Sequence, residues 1–259
     1  MIKMSFQVPT ASEAWVQVIG EEQGYAGLDA ALLRRLIERT KKNYALFTAL
    51  RRHIPVRGKA LEAGCGWACC SFALADQGIS VTALDISEKL ITTLKRMKQE
   101  MGEAIRSHLE LITGDLFKLS ELGERFDLIF NDGTYEHFLS LKDRQTILAN
   151  MRDQLKPEGK YVVAVPNLAN PFFCWVVDRK MPAMQRFGLR SLAGELEASG
   201  FRVLEQGYLF VNAGFEQWLK ARWMAGPVWA VNGMFEAFPG FLKKILAAHI
   251  YCVAQKIEA

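Results

Sequence analysis

From Lys59 to Asn167 the chain alternates between two spacings of apolar residues. The short runs KALEAG, ISVTALD, HLELITGD, FDLIFNDG and GKYVVAVPN read as strands. Between them lie segments with helical spacing: one runs through Leu74, one carries Leu90, Leu94, Met97 and Met101, and one is marked by Ile147, Met151 and Leu155. Strands that alternate with helices predict a parallel sheet covered on both faces, because parallel neighbours need crossover connections. The expected fold class is therefore α/β.

The flanks extend this pattern. Residues 28–52 place Leu33, Ile37, Tyr44 and Phe47 on one helical face and most of the basic residues elsewhere, which predicts an amphipathic helix interrupted near Thr40. A later helix is expected to start at Ser191 as N-cap and to stop at Gly200, before the strand FRVLEQGYLF. An aromatic stretch of about 212–247 follows, and HIYCVAQKI at 249–257 is expected to return as an edge strand. The whole reads as one domain: a helical N-terminal cap over 1–57, a core over 58–209, an aromatic helical insertion over 210–248 and a final strand over 249–259.

Composition narrows the function classes. The chain has 259 residues, 50% of them hydrophobic and 23% charged, which argues against disorder. A formal charge of +4 falls short of the strongly basic balance of a dedicated nucleic-acid binder. Five cysteines, with Cys69 beside Cys70, do not suit a secreted disulfide framework, and the expected location is the cytoplasm. Cys65, Cys69 and Cys70 lack a second cluster of metal-ligand spacing, so no metal is expected. MIKMSFQVPTASEAW lacks the apolar core of a signal peptide, and Met224–Leu242 is broken by glycines and prolines, which suits a helical pair resting on a surface or a pocket better than a membrane span.

The candidate chemistry lies at the first turn. The first strand runs into Glu62-Ala63-Gly64-Cys65-Gly66 and the second ends at Asp85, so both carboxylates should face one crevice at the strand ends. Glycines at 64 and 66 permit unusual dihedrals and close approach of a ligand to the backbone. An aspartate at the second strand tip can accept from vicinal ribose hydroxyls. A degraded dinucleotide fingerprint would also fit a nicotinamide cofactor. Glu62 favours another ligand, because a carboxylate at the turn repels a pyrophosphate and attracts an ammonium. A nucleoside carrying an amino acid suits it.

LEAGCGWA, VTALDIS, LITGDLFKL, FDLIFNDGTYEHF and LKPEGKYVVAVPN, in this order, resemble the class I S-adenosylmethionine-dependent methyltransferases over residues 55–209 and again at HIYCVAQKI. The resemblance implies a Rossmann-like, seven-stranded, mostly parallel sheet with an antiparallel last strand, and S-adenosyl-L-methionine as cofactor. It implies that Glu62 helps hold the methionine ammonium and that Gly64 and Gly66, with Ala63 and Cys65 in the same turn, border the methionine and ribose. Asp85 would bind the ribose, Ile86 would lie against the adenine, Asp115 and the Leu116 amide would meet the adenine edge, and the Asn131 carbonyl would meet the methionine end. Ala68 stands where the family carries a third glycine.

Methyl transfer from a sulfonium is an in-line displacement that needs alignment, and a base where the acceptor loses a proton. His137 is the expected base and Tyr135 the residue expected to orient the acceptor. His53, His108 and His249 are expected to lie outside the crevice. The aromatic segments after the fifth and sixth strands predict a small apolar or aromatic acceptor, with peripheral membrane contact through 210–248 as a further use. RNA or protein methylation, a non-catalytic nucleoside-binding module and an NAD(P)-dependent oxidoreductase are the competing functions.

Overall fold

A computed structural model describes residues 29–167, 169–171, 184–211 and 238–257. Seven strands form one sheet in the order β3-β2-β1-β4-β5-β7-β6. They span Lys59–Ala63 (β1), Ser80–Asp85 (β2), Leu109–Thr113 (β3), Phe126–Asp132 (β4), Leu155–Pro166 (β5), Phe201–Val211 (β6) and Ala247–Lys256 (β7). β1 through β5 pair in parallel, while β7 is antiparallel to both β5 and β6. The described helices are Ala30–Asn43 (α1), Ala45–His53 (α2), Cys69–Ala75 (α3), Glu88–Gln99 (α4), Glu103–His108 (α5), Leu141–Gln154 (α6), Leu189–Ala198 (α7) and Gly240–Leu246 (α8).

The sheet separates two apolar layers, because successive strand residues point to opposite faces. Ala60 and Val162 join Leu33, Leu46, Phe72 and Leu94 on one side, while Leu61 and Val163 join Ile147, Met151, Leu192 and Leu196 on the other. Each fully buried Val, Leu, Ile, Phe or Met among these contributes roughly 1.5–3 kcal/mol through area removed from water. β2 is buried at every position after Ser80, as a parallel strand between two layers should be.

The expected last strand proves to be an interior strand. β7 lies between β5 and β6, and the edges are β3 and β6. The physical reason is in its composition: Ile250, Cys252, Val253 and Ala254 are all fully buried, a near-continuous apolar run that only pairing on both sides accommodates. β6 instead exposes Arg202, Leu204 and Gln206 along its length, the character of an edge.

Three local expectations change in the same way. Leu155 opens β5 opposite Phe126 and does not close α6. α7 begins at Leu189 with Gly188 as N-cap, and Ser191, inside the first turn, accepts from the Gly188 N–H at 2.9 Å. The basic amphipathic stretch is two helices, broken at Tyr44 with φ −95° and ψ 108° while the Tyr44 N–H still reaches the Thr40 carbonyl. The break falls four residues beyond the expected interruption and turns the Tyr44 side chain toward the sheet. Most of the aromatic insertion, including Met224 to 237, lies outside the described residues.

Candidate active site

Strand order reverses between β2 and β4 on either side of β1, and at that switch point a cavity of about 390 Å³ opens beyond the strand ends. Its floor is the turn from β1 into α3. The N–H groups of Gly64 and Cys65 both donate to the Leu84 carbonyl, at 2.8 and 2.9 Å, tying the turn to the tip of β2.

The two glycines of the turn serve different ends. Gly64 has φ +76°, and a Cβ there would sit 2.4 Å from Thr134 Cγ2. Thr134 also donates its hydroxyl to the Gly64 carbonyl at 3.0 Å, so this glycine is packed from the β4 side. Gly66 has φ +48°, and a Cβ there would meet nothing within 4 Å. Its space opens into the cavity. Ala68 adopts φ +53° and ψ 28° directly before α3, a left-handed conformation that a side chain adopts at a cost of roughly 1–2 kcal/mol.

Carboxylates surround this floor. Glu62 is buried, and its Oε2 accepts from both the N–H, at 3.2 Å, and the hydroxyl of Ser71. Burial pushes its carboxyl up to about 8, against the lowering effect of the Ser71 bonds and helped by the negative charges of Asp132 and Asp85. Asp85 accepts from the Gly66 N–H through Oδ2 and from the Ser87 N–H through Oδ1, both at 3.0 Å. Asp115 caps the short 3₁₀ turn Leu116–Leu122 by accepting from Phe117 N–H at 3.0 Å. Asp115 thus caps this turn while lining the cavity. Glu62, Asp85, Ile86, Asp115 and Leu116 all line the cavity, together with the turn residues Gly64, Cys65 and Gly66.

His137 lines the cavity from the opposite wall, on the short 3₁₀ turn Tyr135–His137 after β4. Burial lowers its pKa to about 4, with a hydrogen bond to the Gly133 carbonyl acting the other way. The imidazole is therefore neutral at neutral pH. Next to it, Glu136 is buried, its carboxyl pushed up to about 8 by burial. Its Oε1 lies 4.0 Å from His137 Nε2.

Three expected site residues do not line this cavity. Ala63 and Asn131 are fully buried in their strands, and Asn131 donates through Nδ2 to the Tyr161 hydroxyl at 2.8 Å. The neighbouring Asp132 lines the cavity in place of Asn131. Tyr135 is fully buried away from the cavity, with its hydroxyl donating to Glu195 at 2.7 Å. Strand alternation turns the Asn131 side chain to the other face of the sheet from Asp132, while the role expected of Asn131 belongs to its backbone carbonyl.

Tyr44, on the apolar face of the N-terminal helices, also lines the cavity and donates its hydroxyl to Asp132 Oδ2. Trp67, Thr134 and Phe138 also line it. The three thiols of the first turn are held protonated, Cys69 pushed up to about 12 and Cys65 and Cys70 well above the ordinary range, chiefly by burial and then by Glu62. Among the described residues no group of three or more His, Cys, Asp or Glu is placed to hold a metal ion.

This geometry has counterparts. Residues 60–159 match the methyltransferase domain family. A ubiquinone biosynthesis O-methyltransferase of Coxiella burnetii is 31% identical over 119 residues, 46% of this chain and 48% of that protein. One of Sinorhizobium fredii is 27% identical over 176 residues, 63% and 68% of the two chains. The chain spans about half the length of the first of these relatives. The solved glycopeptide N-methyltransferase MtfA, complexed with S-adenosyl-L-methionine, superposes with a TM-score of 0.57 at 18% identity, covering 82% of this chain and 92% of that one. Residues 60–159 thus match the methyltransferase domain family, and the seven-stranded sheet shares its fold with the solved methyltransferase MtfA.

Proposed function

We propose that the protein is an S-adenosyl-L-methionine-dependent methyltransferase acting on a small, apolar or aromatic molecule and releasing S-adenosylhomocysteine. The observation that carries this reading is that Glu62 and Asp85, at the tips of adjacent parallel strands, line one cavity whose floor is open above Gly66. The volume of about 390 Å³ is within the range of small-molecule sites. The donor set fits the cofactor: carboxylates for an ammonium and a ribose, a backbone approach without a Cβ, and apolar Ile86 and Leu116 for a flat base.

In this reading Glu62 meets the methionine ammonium, Asp85 the ribose hydroxyls, and Asp115 and Leu116 the adenine edge. The cofactor supplies an activated methyl on sulfur. The chain supplies alignment and exclusion of water, the latter from Tyr44, Trp67 and Phe138 around the cavity. His137 faces the cavity and is the group placed to take the proton from an acceptor that carries one, and its burial makes it a weaker base than a free imidazole. A pyrophosphate-bearing nicotinamide cofactor would face the carboxylates of Asp85, Asp115 and Asp132, which disfavours the oxidoreductase alternative.

On the described part of 210–248, Phe241 and Ile245 are exposed beside Lys243 and Lys244, a surface suited to peripheral contact with an anionic membrane. Among the described residues no helix is long and apolar enough to cross a membrane. The four described cysteines are free thiols, which supports a cytoplasmic setting. Mass-spectrometric detection of S-adenosylhomocysteine formed from S-adenosylmethionine, across a panel of phenols, catechols and amines, tests the reading. Turnover confined to RNA or protein substrates would replace its acceptor class.

A further inference from the structure

Beyond the cavity, a buried network grips the turn that carries His137. Arg144, on α6, is buried and meets Glu195 of α7 through two parallel hydrogen bonds, Nε to Oε2 and Nη2 to Oε1, each 2.9 Å. Its third nitrogen, Nη1, donates to the carbonyls of Phe138 and Leu139, both at 2.8 Å. Glu195 Oε2 also accepts from the Tyr135 hydroxyl. The Tyr135 ring stacks on Phe187 with centroids 5.4 Å apart, and the Arg144 guanidinium lies 5.6 Å from the same ring. Between these anchors, the Glu136 carbonyl accepts from the Gln185 N–H at 2.7 Å.

The turn is therefore held at 135, 136, 138 and 139, with His137 in the middle. A partly buried ion pair is a poor source of net stability, since desolvation offsets much of its attraction. A planar guanidinium does something else well: it fixes several acceptors in one geometry. Catalytic alignment is sensitive to displacements of about 1 Å, so fixing the base against the cavity has a function that stability alone does not supply.

We propose that Arg144 and Glu195 are positioning residues that hold the His137 imidazole in place against the cavity. This rests on the methyltransferase reading, which gives His137 its task. Neither residue touches the cavity, and their effect runs through Tyr135 and through the Phe138 and Leu139 carbonyls. Holding the turn also holds the imidazole out of water, between the Gly133 carbonyl and the buried Glu136 carboxyl.

The test is ¹³C NMR of histidine-labelled protein, with His137→Gln to assign the signal, combined with calorimetric titration of S-adenosylhomocysteine. In the wild type, His137 stays neutral until the pH nears about 4. In Glu195→Gln and Arg144→Lys the turn loosens and its titration midpoint rises by a pH unit or more, toward the ordinary value of about 6.5. Tyr135→Phe removes a single hydroxyl and shifts the midpoint less, in the same direction; it decides the matter if the other two variants do not fold. An unshifted midpoint in folded variants overturns the proposal. Wild-type protein that does not bind S-adenosylhomocysteine overturns the methyltransferase reading instead, whatever the midpoints do.

Discussion

The hydroxyl of Tyr44 donates to the Asp132 carboxylate, joining the break between α1 and α2 to the tip of β4 across the mouth of the cavity. This contact spans 88 residues of sequence and ties the N-terminal helices to the site. Removing it with Tyr44→Phe leaves the ring in place and deletes a bond to a charged group, which contributes about 1.5–3 kcal/mol. The expected outcome is a lower urea midpoint together with weaker S-adenosylhomocysteine binding. Loss of stability with unchanged affinity would make Tyr44 a packing residue alone.

The two glycines of the first turn should fail differently. Gly64→Ala forces a Cβ within 2.4 Å of Thr134, at a positive φ, and is expected to destabilise the fold. Gly66→Ala meets no neighbour and should cost only the backbone strain, about 1–2 kcal/mol, yet place a methyl in the space left for the ligand. Melting and calorimetry on both variants check this. Normal cofactor affinity in Gly66→Ala would remove the close approach assigned there.

Ala68 works against its own backbone. Replacing it with glycine relieves the left-handed strain, less the larger entropy glycine loses on folding, for a net gain of about 0.5–1 kcal/mol. Chemical denaturation with an unchanged m-value reads this directly. A destabilised Ala68→Gly would show that the Ala68 methyl, buried in the core, outweighs the strain.

In the proposed reading, Glu62 makes cofactor binding depend on pH. Its folded-state pKa of about 8 lies above the ordinary value of 4.5, so between these the folded protein holds a proton that the unfolded chain has lost. Stability from this group is present at low pH and falls as pH rises through that window. An ammonium ligand needs the ionised form, so binding expels the proton. Affinity for S-adenosylhomocysteine should rise with pH from about 6 to about 8, by at most tenfold per unit, with proton release visible as buffer-dependent enthalpy. Glu62→Gln should abolish both effects.

Much of the fold was legible because β1, β2, β4 and β5 are buried on both faces and read as apolar runs. The glycine turn and its two carboxylates were legible for a related reason, since charges inside such runs need a partner. What escaped depended on contacts distant in sequence. The place of β7 between β5 and β6 is set by pairing, not by chain order. Tyr135 lies two residues before His137, and which of the two faces the cavity follows from the Tyr135 bond to Glu195, 60 residues beyond it. A signal for the Arg144 network was present: Arg144 falls in register with Ile147, Leu148 and Met151 on the buried face of α6, an unusual site for a charge.

Cofactor recognition through Asp85 is the central claim, and calorimetric titration of wild type and Asp85→Ala with S-adenosylhomocysteine tests it most directly. The account predicts a single site in the wild type and an affinity about ten- to a hundred-fold weaker in the variant, from the loss of hydrogen bonds to a charged group. Equal affinities in the two proteins, or no heat of binding in the wild type, would contradict it.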